Sequence, residues 1–107
     1  MATSNKILGQ SKPAAATNTT LYTVPVATQA NVNIFIANQA NGPDLCRVAI
    51  TKSGSALDVK NYLAYDTILQ ANSSINITGI ALAAGDFITV YSTSGNISFN
   101  AVGIEIA

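Results

Sequence analysis

The sequence predicts an all-β protein, an antiparallel β-sandwich of about seven to eight strands behind an extended N-terminal arm. Segments rich in β-branched and aromatic residues recur about every ten residues from residue 20 onward, with Gly, Asn, Asp and Ser between them. No segment has the 3.6-residue apolar period of an amphipathic helix. The 107 residues suffice for one domain and are too few for two. A sandwich of the jelly-roll or immunoglobulin-like kind fits this pattern, and a small barrel is the alternative.

Residues 1–19 are predicted to form the arm and residues 20–107 the single sandwich domain. The first segment is small and polar and follows neither the two-residue period of a strand nor the period of a helix. Its isolated apolar residues, Ile7 and Leu8, are candidates for anchoring the arm in a groove of a neighbouring subunit. A free tail is the alternative.

Alternation of apolar and polar residues assigns faces to the first predicted strands. The segment "TLYTVPV" holds Pro25, which has no amide hydrogen to donate, so it is predicted to be an edge strand or a strand end. The strand "ANVNIFIAN" turns three residues to one face: Val32, Ile34 and Ile36. After the turn signal "NGPD" at 41–44, the strand "LCRVAITK" turns another three inward: Cys46, Val48 and Ile50.

The later strands are "YLAYDTIL", "SSINITGI" and "DFITVYST", with a lone acid, Asp86, at the start of the last of these. Gly85 supplies the positive φ that a tight turn needs, and an Asp beside it can hydrogen-bond nearby backbone amides. Asp86 is therefore predicted to be a turn acid. A catalytic acid or a metal ligand is the alternative for a carboxylate in such apolar company.

The final strand, "ISFNAVGIEI", changes the face on which its apolar residues lie. Ile97 and Phe99 share one parity, and three later residues have the opposite one: Val102, Ile104 and Ile106. A β-bulge over Ala101–Gly103 would return them to a single core face, with Gly103 as a structural residue. The alternative is a strand that leaves its own sheet and enters that of another subunit.

The charge pattern argues against several partners. Charged residues make up only 9% of the chain, and five Lys/Arg balance five Asp/Glu. No basic stripe can neutralise phosphates, so neither nucleic acid nor a membrane surface is an expected partner. Such sparse charge also leaves little repulsion against self-association. The sequence has no apolar region typical of a signal peptide or a membrane span, so synthesis in a cytosol is expected.

The residue inventory leaves little catalytic chemistry. The chain has no histidine and one cysteine, Cys46, so Ser–His and Cys–His nucleophiles, His-based metal sites and an internal disulfide are excluded. Cys46 is predicted to be a small buried side chain. The acids are unpaired in sequence: Asp44, Asp58, Asp66, Asp86 and Glu105. No catalytic residue, cofactor or metal is predicted, although scattered oxygen ligands leave a calcium site open.

Tyrosines and one arginine are the remaining candidates for a binding face. Four tyrosines could line a sugar-binding surface or simply pack on half-buried strands, which is the preferred interpretation: Tyr22, Tyr62, Tyr65 and Tyr91. Arg47, on the outward face of its strand, is predicted to be solvated or to pair with an acid across a subunit contact.

Four motifs in order resemble those of small structural proteins of tailed-phage virions. They are "L-Y-T-V-P" at Leu21–Pro25, "Y-x-x-Y-D" at Tyr62–Asp66, "L-x-x-G-D-x-I-x-V-Y" at Leu82–Tyr91 and "S-F-x-x-x-G-x-E-I" at Ser98–Ile106. The resemblance covers residues 21–106 at intervals and leaves the arm outside. It implies a β-sandwich building block of a virus particle, without enzymatic activity.

The expected function is therefore that of a capsid decoration, or cement, protein that binds and stabilises a phage head shell. The expected partners are the major capsid protein or other virion structural proteins, and further copies of the chain, with a homotrimer as the expected state. The expected location is the virion, after synthesis in the host cytoplasm. The alternatives are a tail, fibre or baseplate component and a carbohydrate-binding sandwich module.

Overall fold

The computed structural model describes residues 2–107, which fold into eight strands and one short 3₁₀ helix. The elements are β1 (Thr3–Ser11), β2 (Thr19–Thr23), β3 (Gln29–Asn38), β4 (Asp44–Thr51), the 3₁₀ helix (Val59–Asn61), β5 (Tyr62–Leu69), β6 (Ser74–Leu82), β7 (Phe87–Ser92) and β8 (Ile97–Ile106). The first sheet has the order β1-β8-β3-β6 and the second the order β2-β7-β4-β5. All pairings are antiparallel, which confirms the all-β class and the two-sheet arrangement.

The core lies between the two sheets and follows the predicted alternation. The inward residues of β3 are buried as expected: Val32, Ile34 and Ile36. On β4, Cys46 and Val48 are fully buried, whereas Ile50 is only partly buried and packs against the edge of the core. Within residues 2–107 every buried side-chain nitrogen and oxygen has a hydrogen-bond partner. The sandwich therefore buries its apolar faces without leaving a buried polar side-chain atom unsatisfied, which would cost about 1–3 kcal/mol for each such atom.

The N-terminal segment lies in the first sheet and not apart from the sandwich. Thr3–Ser11 pairs with β8 of the same chain, and the ladder is closed by reciprocal hydrogen bonds between Ala2 and Ala107, 2.9 and 2.8 Å long. Nine of the 19 residues of the predicted arm thus form an edge strand. A bulge between Ile7 and Gly9 breaks its alternation, so that Leu8 packs against the chain's own core while Ile7 is 60% exposed.

The predicted bulge over Ala101–Gly103 of β8 is wrong. β8 pairs with β3 in unbroken register from Gln29 opposite Ile106 to Asn38 opposite Ile97. It also stays between β1 and β3 to its end, so it does not leave its own sheet. The change of apolar face is therefore real: Phe99 and Ala101 are buried in the core, and the three later apolar residues are on the outer face of the sheet.

Near the end of β8 the inward-facing residue is Glu105 and not an apolar residue, and it makes a polar contact between the two sheets. Glu105 accepts a hydrogen bond from the Tyr22 hydroxyl, and its other carboxylate oxygen lies 2.8 Å from the Lys6 ammonium. Lys6 first, and then Tyr22, holds the pKa of Glu105 below its usual range. Burial, and then Glu105, raises the pKa of Tyr22. The contact joins β1 and β8 of the first sheet to β2 of the second.

The turn between β6 and β7 has the geometry of a carboxylate-stabilised turn. Gly85 has φ +83°, and the two carboxylate oxygens of Asp86 accept hydrogen bonds from the amides of Ser53, at 3.0 Å, and Ala83, at 2.9 Å. Asp86 thereby ties this turn to the turn between β4 and the 3₁₀ helix. Both carboxylate oxygens are occupied by backbone donors.

Candidate functional site

The most distinctive side-chain arrangement lies on the outer face of the second sheet, around Arg47. Arg47 lies on β4 between the buried residues Cys46 and Val48, so its side chain points away from the core. Tyr91 of β7 lies directly opposite it in the ladder. The edge strand β5 contributes three further residues: Tyr62, Tyr65 and Asp66. These five residues are called the Arg47 cluster.

The guanidinium of Arg47 contacts three side chains of the cluster. Its Nε donates to Asp66 Oδ1 at 2.6 Å, and its Nη2 donates to Oδ2 at 3.3 Å. Its Cζ lies 4.3 Å from the ring centroid of Tyr65 and 4.4 Å from that of Tyr91. Hydrogen bonding to Asp66, more than any other contact, raises the pKa of Arg47. A two-pronged ion pair combined with two cation–π contacts gives the long side chain one fixed position.

The edge strand is irregular where it meets Arg47. Cys46 pairs with Thr67 and Val48 pairs with Ala64, so two steps along β4 face three steps along β5. Tyr65 and Asp66 therefore share the position opposite Arg47, and both contact it. Asp66 has φ +52°, in the left-handed region that costs most residues about 1–2 kcal/mol. A bulge with a strained residue that aims two side chains at one partner is typical of a functional position.

Exposed apolar residues border the Arg47 cluster along β5. Leu63 and Ile68 are exposed, the latter at 61%, and Tyr65 itself is 56% exposed. The Tyr62 ring meets the Tyr65 ring edge-on at a centroid distance of 4.8 Å, which holds Tyr65 in place. The surface combines rigid Tyr and Arg side chains with an apolar border, a composition enriched in the residues that dominate protein–protein binding energy.

The structure brings together part of what the sequence singles out. Three of the four tyrosines belong to the Arg47 cluster, whereas Tyr22 is buried and bonded to Glu105. The acid that pairs with Arg47 is Asp66 of the same chain, an arrangement that the sequence analysis did not propose. The only sequence signal for it is the spacing of "YLAYD", which places an acid next to an aromatic residue in a strand. Ile7, Leu8, Gly85, Asp86 and Gly103 lie outside the cluster.

A second polar group, centred on Asp44, is buried and structural. Ser92 Oγ donates to Asp44 Oδ2 at 2.9 Å, Ser94 Oγ donates to the same oxygen, and the amides of Leu45 and Ser94 donate to Oδ1 at 2.8 and 3.2 Å. Burial acts to raise the pKa of Asp44, but the hydrogen bonds from Ser94, Ser92 and the two amides outweigh it and hold this pKa below its usual range. The carboxylate joins the start of β4 to the turn between β7 and β8.

Cys46 is not a reactive thiol. It is fully buried, and burial first, with the nearby charges of Asp44 and Asp66 adding to it, raises its pKa to about 11. The nucleophilic thiolate is therefore scarce at neutral pH.

Asp44→Asn is expected to lower the free energy of unfolding by about 1–3 kcal/mol at pH 7, because an amide cannot accept all four hydrogen bonds. It is also expected to flatten the acid dependence of stability. The lowered pKa of Asp44 means that its stabilisation is complete above about pH 4 and is lost as pH falls through the folded-state pKa. The part of the loss that comes from Glu105 should remain in the variant.

Urea unfolding at a series of pH values between 7 and 3 measures both effects. Asp58→Asn is the matched control, because Asp58 is an exposed acid that caps the 3₁₀ helix and Asn caps equally well. Its stability at pH 7 should stay within about 0.5 kcal/mol of the parent. An Asp44→Asn variant with an unchanged slope below pH 4 would contradict the role given to Asp44.

The described residues form neither a metal site nor a membrane-spanning helix. Within residues 2–107 no group of three or more His, Cys, Asp or Glu side chains is placed to hold a metal ion. In the same range no helix has the length and apolar character needed to cross a membrane. The fold and the Arg47 cluster thus define a small all-β sandwich protein with a preformed patch of tyrosine and arginine on one face.

Comparison with known proteins adds no relative to this description. A scan of protein-family models, a search of curated proteins and a search of solved structures found no match to the chain.

Proposed function

We propose that the protein is a non-enzymatic structural protein of a phage virion, a jelly-roll sandwich that decorates the head shell and stabilises it. The observation that carries the proposal is the Arg47 cluster, a rigid contact patch on an otherwise sparsely charged sandwich. The strand pairing supports the fold part of the proposal, since β1 pairs with β8, β2 with β7, β3 with β6 and β4 with β5. Nested pairing across two sheets supports the jelly-roll form of the sandwich, a fold common in viral capsid proteins and lectins.

The Arg47 cluster fits a docking role better than a chemical one. The charge of Arg47 is already paired with Asp66 and its guanidinium lies against two tyrosine rings, which disfavours a chemical role for either charged group. For binding a protein the same arrangement is favourable, because side chains that are already ordered lose little entropy on contact. Tyr and Arg in the middle of an apolar surface are the residue types that most often carry interface energy.

Repetition explains how a modest patch could stabilise a shell. A decoration protein makes the same contact many times over the particle, and linked contacts raise the overall affinity without any new interaction. A small area around β4 and β5 is then enough.

Arg47→Ala is expected to weaken binding of the purified protein to shells that lack it by at least about tenfold, or about 1.4 kcal/mol. Co-sedimentation of protein with shells measures the change. Arg47→Lys should weaken binding as well, because lysine keeps the charge but loses the two-pronged pairing and the stacking on the tyrosines. Removing Arg47 alone leaves the Asp66 carboxylate unpaired, which could disturb the local structure. The double variant Arg47→Ala/Asp66→Ala removes both charges, so weak shell binding by this variant as well would come from the lost Arg47 contact and not from the unpaired carboxylate.

Lys12→Ala, at an exposed position just beyond β1, is the control and should bind as the parent does. Circular dichroism establishes that each variant is folded. Equal shell binding by the parent and by Arg47→Ala would overturn the docking role. A count of copies per virion by mass spectrometry tests the location, since a tail, fibre or baseplate protein is present in far fewer copies than a decoration protein.

Glycan binding is the second candidate, favoured by the exposed ring of Tyr65 on a sandwich of lectin-like strand pairing. Arg47 lies over the Tyr65 ring, and the 56% exposure of Tyr65 leaves surface for a sugar. A glycan array separates the candidates: specific sugar binding that is lost in Tyr65→Ala would replace shell docking as the proposed role.

A further inference from the structure

The outer face of the first sheet is uncharged. The outward residues of β3 are every second residue from Gln29 to Ala37, and those of β8 are every second residue from Ser98 to Ile106. The four strands of this sheet contain only two charged residues, Lys6 and Glu105, and both lie at inward positions of the register and pair with each other. Every outward position on the four strands is thus apolar or neutral.

An apolar stripe runs along this face. Ile7 of β1 lies directly opposite Val102 of β8, and Ile104 and Ile106 continue along β8 on the same side. Ile7 is 60% exposed, and Phe35 on neighbouring β3 is 47% exposed. The stripe results from the change of face in β8, which turns the last apolar residues of this strand away from the chain's own core. Ile7 and Phe35 are therefore exposed apolar surface, and the three β8 residues beside them are partly buried.

The chemistry of the face selects its partner. A face without charge offers no electrostatic complementarity to a charged macromolecule. Two copies of such a face can meet without placing like charges opposite each other, which a face with charges of only one sign cannot do at a symmetric contact. Its polar residues suit the same purpose: Gln10 and Asn100 already share a hydrogen bond of 2.7 Å, and amide side chains both donate and accept, so each can bond its own copy.

The size of the face is sufficient for a stable contact. Four strands about 4.8 Å apart and about nine residues long at about 3.4 Å per residue outline roughly 600 Å². A standard specific interface buries about 800 Å² of accessible surface per partner, and accessible surface exceeds flat outline. The chain also has no net charge to oppose the approach of a second copy.

We propose that the outer face of the first sheet is the self-association surface of the protein, where a second copy of this chain packs with the Ile7–Val102–Ile104–Ile106 stripe at the centre. The Arg47 cluster is on the opposite side of the sandwich and stays free. The inference does not depend on shell binding, because it concerns the purified chain alone.

Sedimentation of the purified full chain tests the proposal. The parent is expected to sediment as an oligomer, and Ile104→Lys is expected to raise the dissociation constant at least about tenfold, because the new charge would be buried on association. Ile7→Lys should act in the same direction and, since its parent side chain is largely exposed, should leave the fold intact. Unfolding curves check that both variants are folded.

Ile68→Lys is the matched control: the same substitution at a residue 61% exposed on the opposite face, where association should be unaffected. Added sodium chloride should not weaken association, since no charge pair holds the surfaces together. A parent that stays monomeric up to about 1 mM, or an oligomer that persists in folded Ile104→Lys and Ile7→Lys, would overturn the proposal. An oligomer lost equally in Ile68→Lys would assign association to the other face. The shell-binding result with Arg47→Ala is separate from all of these outcomes.

Discussion

Gly103→Ala is expected to lower the free energy of unfolding by about 3 kcal/mol or more, a large share of the roughly 5–15 kcal/mol of a typical domain. An added Cβ at this position would lie 2.0 Å from the carbonyl oxygen of Asn31, far inside contact distance. The clashing atom belongs to the backbone of β3, so it cannot move aside as the tip of a side chain could. β3 and β8 are the two central strands of the first sheet, and separating them breaks its longest ladder.

Gly42→Ala is the matched control, because a Cβ there meets no atom within 4 Å. Its stability is expected to stay within about 0.5 kcal/mol of the parent. Guanidinium unfolding of the three proteins gives the comparison directly. Equal stability of the two glycine variants would show that β3 and β8 do not approach as closely at Gly103 as the structure has them.

The central strands could be predicted from the sequence because their pattern is local. Val32, Ile34 and Ile36 recur at every second position, which is the period expected of a strand with one buried face. The turn at Gly85 and Asp86 is likewise encoded in adjacent residues. Strand β6 also alternates well enough to be found, although only its second half is buried, at Ile80 and Leu82.

β1 could not be found in this way, because its pairing depends on a partner at the other end of the chain. Its outward residues face solvent, its inward residues include Lys6, and the bulge at Leu8 interrupts what alternation remains. A polar edge strand of this kind has the sequence of a flexible segment. Only β8, which supplies the ladder hydrogen bonds along its length, makes it a strand.

The Arg47 cluster and the face change in β8 show a different limit. The parity of Val102, Ile104 and Ile106 was correctly identified, but the predicted bulge assumed that all apolar residues of a strand must serve one core. The role of Asp66 could not be predicted for a related reason. Nothing in the sequence distinguishes a non-glycine residue with φ +52° at a bulge from any other strand residue. Sequence patterns report burial within one chain, whereas both of these features lie on outer faces, where a partner would bury them.

Phe99→Ala is expected to lower the free energy of unfolding by about 3–5 kcal/mol. Phe99 is the largest of the fully buried side chains and points from β8 into the space between the two sheets. The inward residues that follow it, Ala101 and Gly103, are too small to fill the cavity left by its removal. A loss of this size is a large share of the total stability of a typical domain, about 5–15 kcal/mol, so the variant is expected to unfold at a much lower urea concentration than the parent.

Phe99→Leu keeps most of the volume and is expected to lose less, about 1–1.5 kcal/mol. Urea unfolding of both variants, with unchanged dependence on denaturant, separates lost packing from a changed unfolded state. Because the Phe99 side chain points into the core, away from the two proposed contact faces, folded Phe99→Leu should still self-associate and bind shells as the parent does. Failure of folded Phe99→Leu to associate would mean that the outer face of the first sheet depends on the core packing beneath it. A loss of association in Ile104→Lys would then be attributed to disturbed packing and not to a charge buried at the contact.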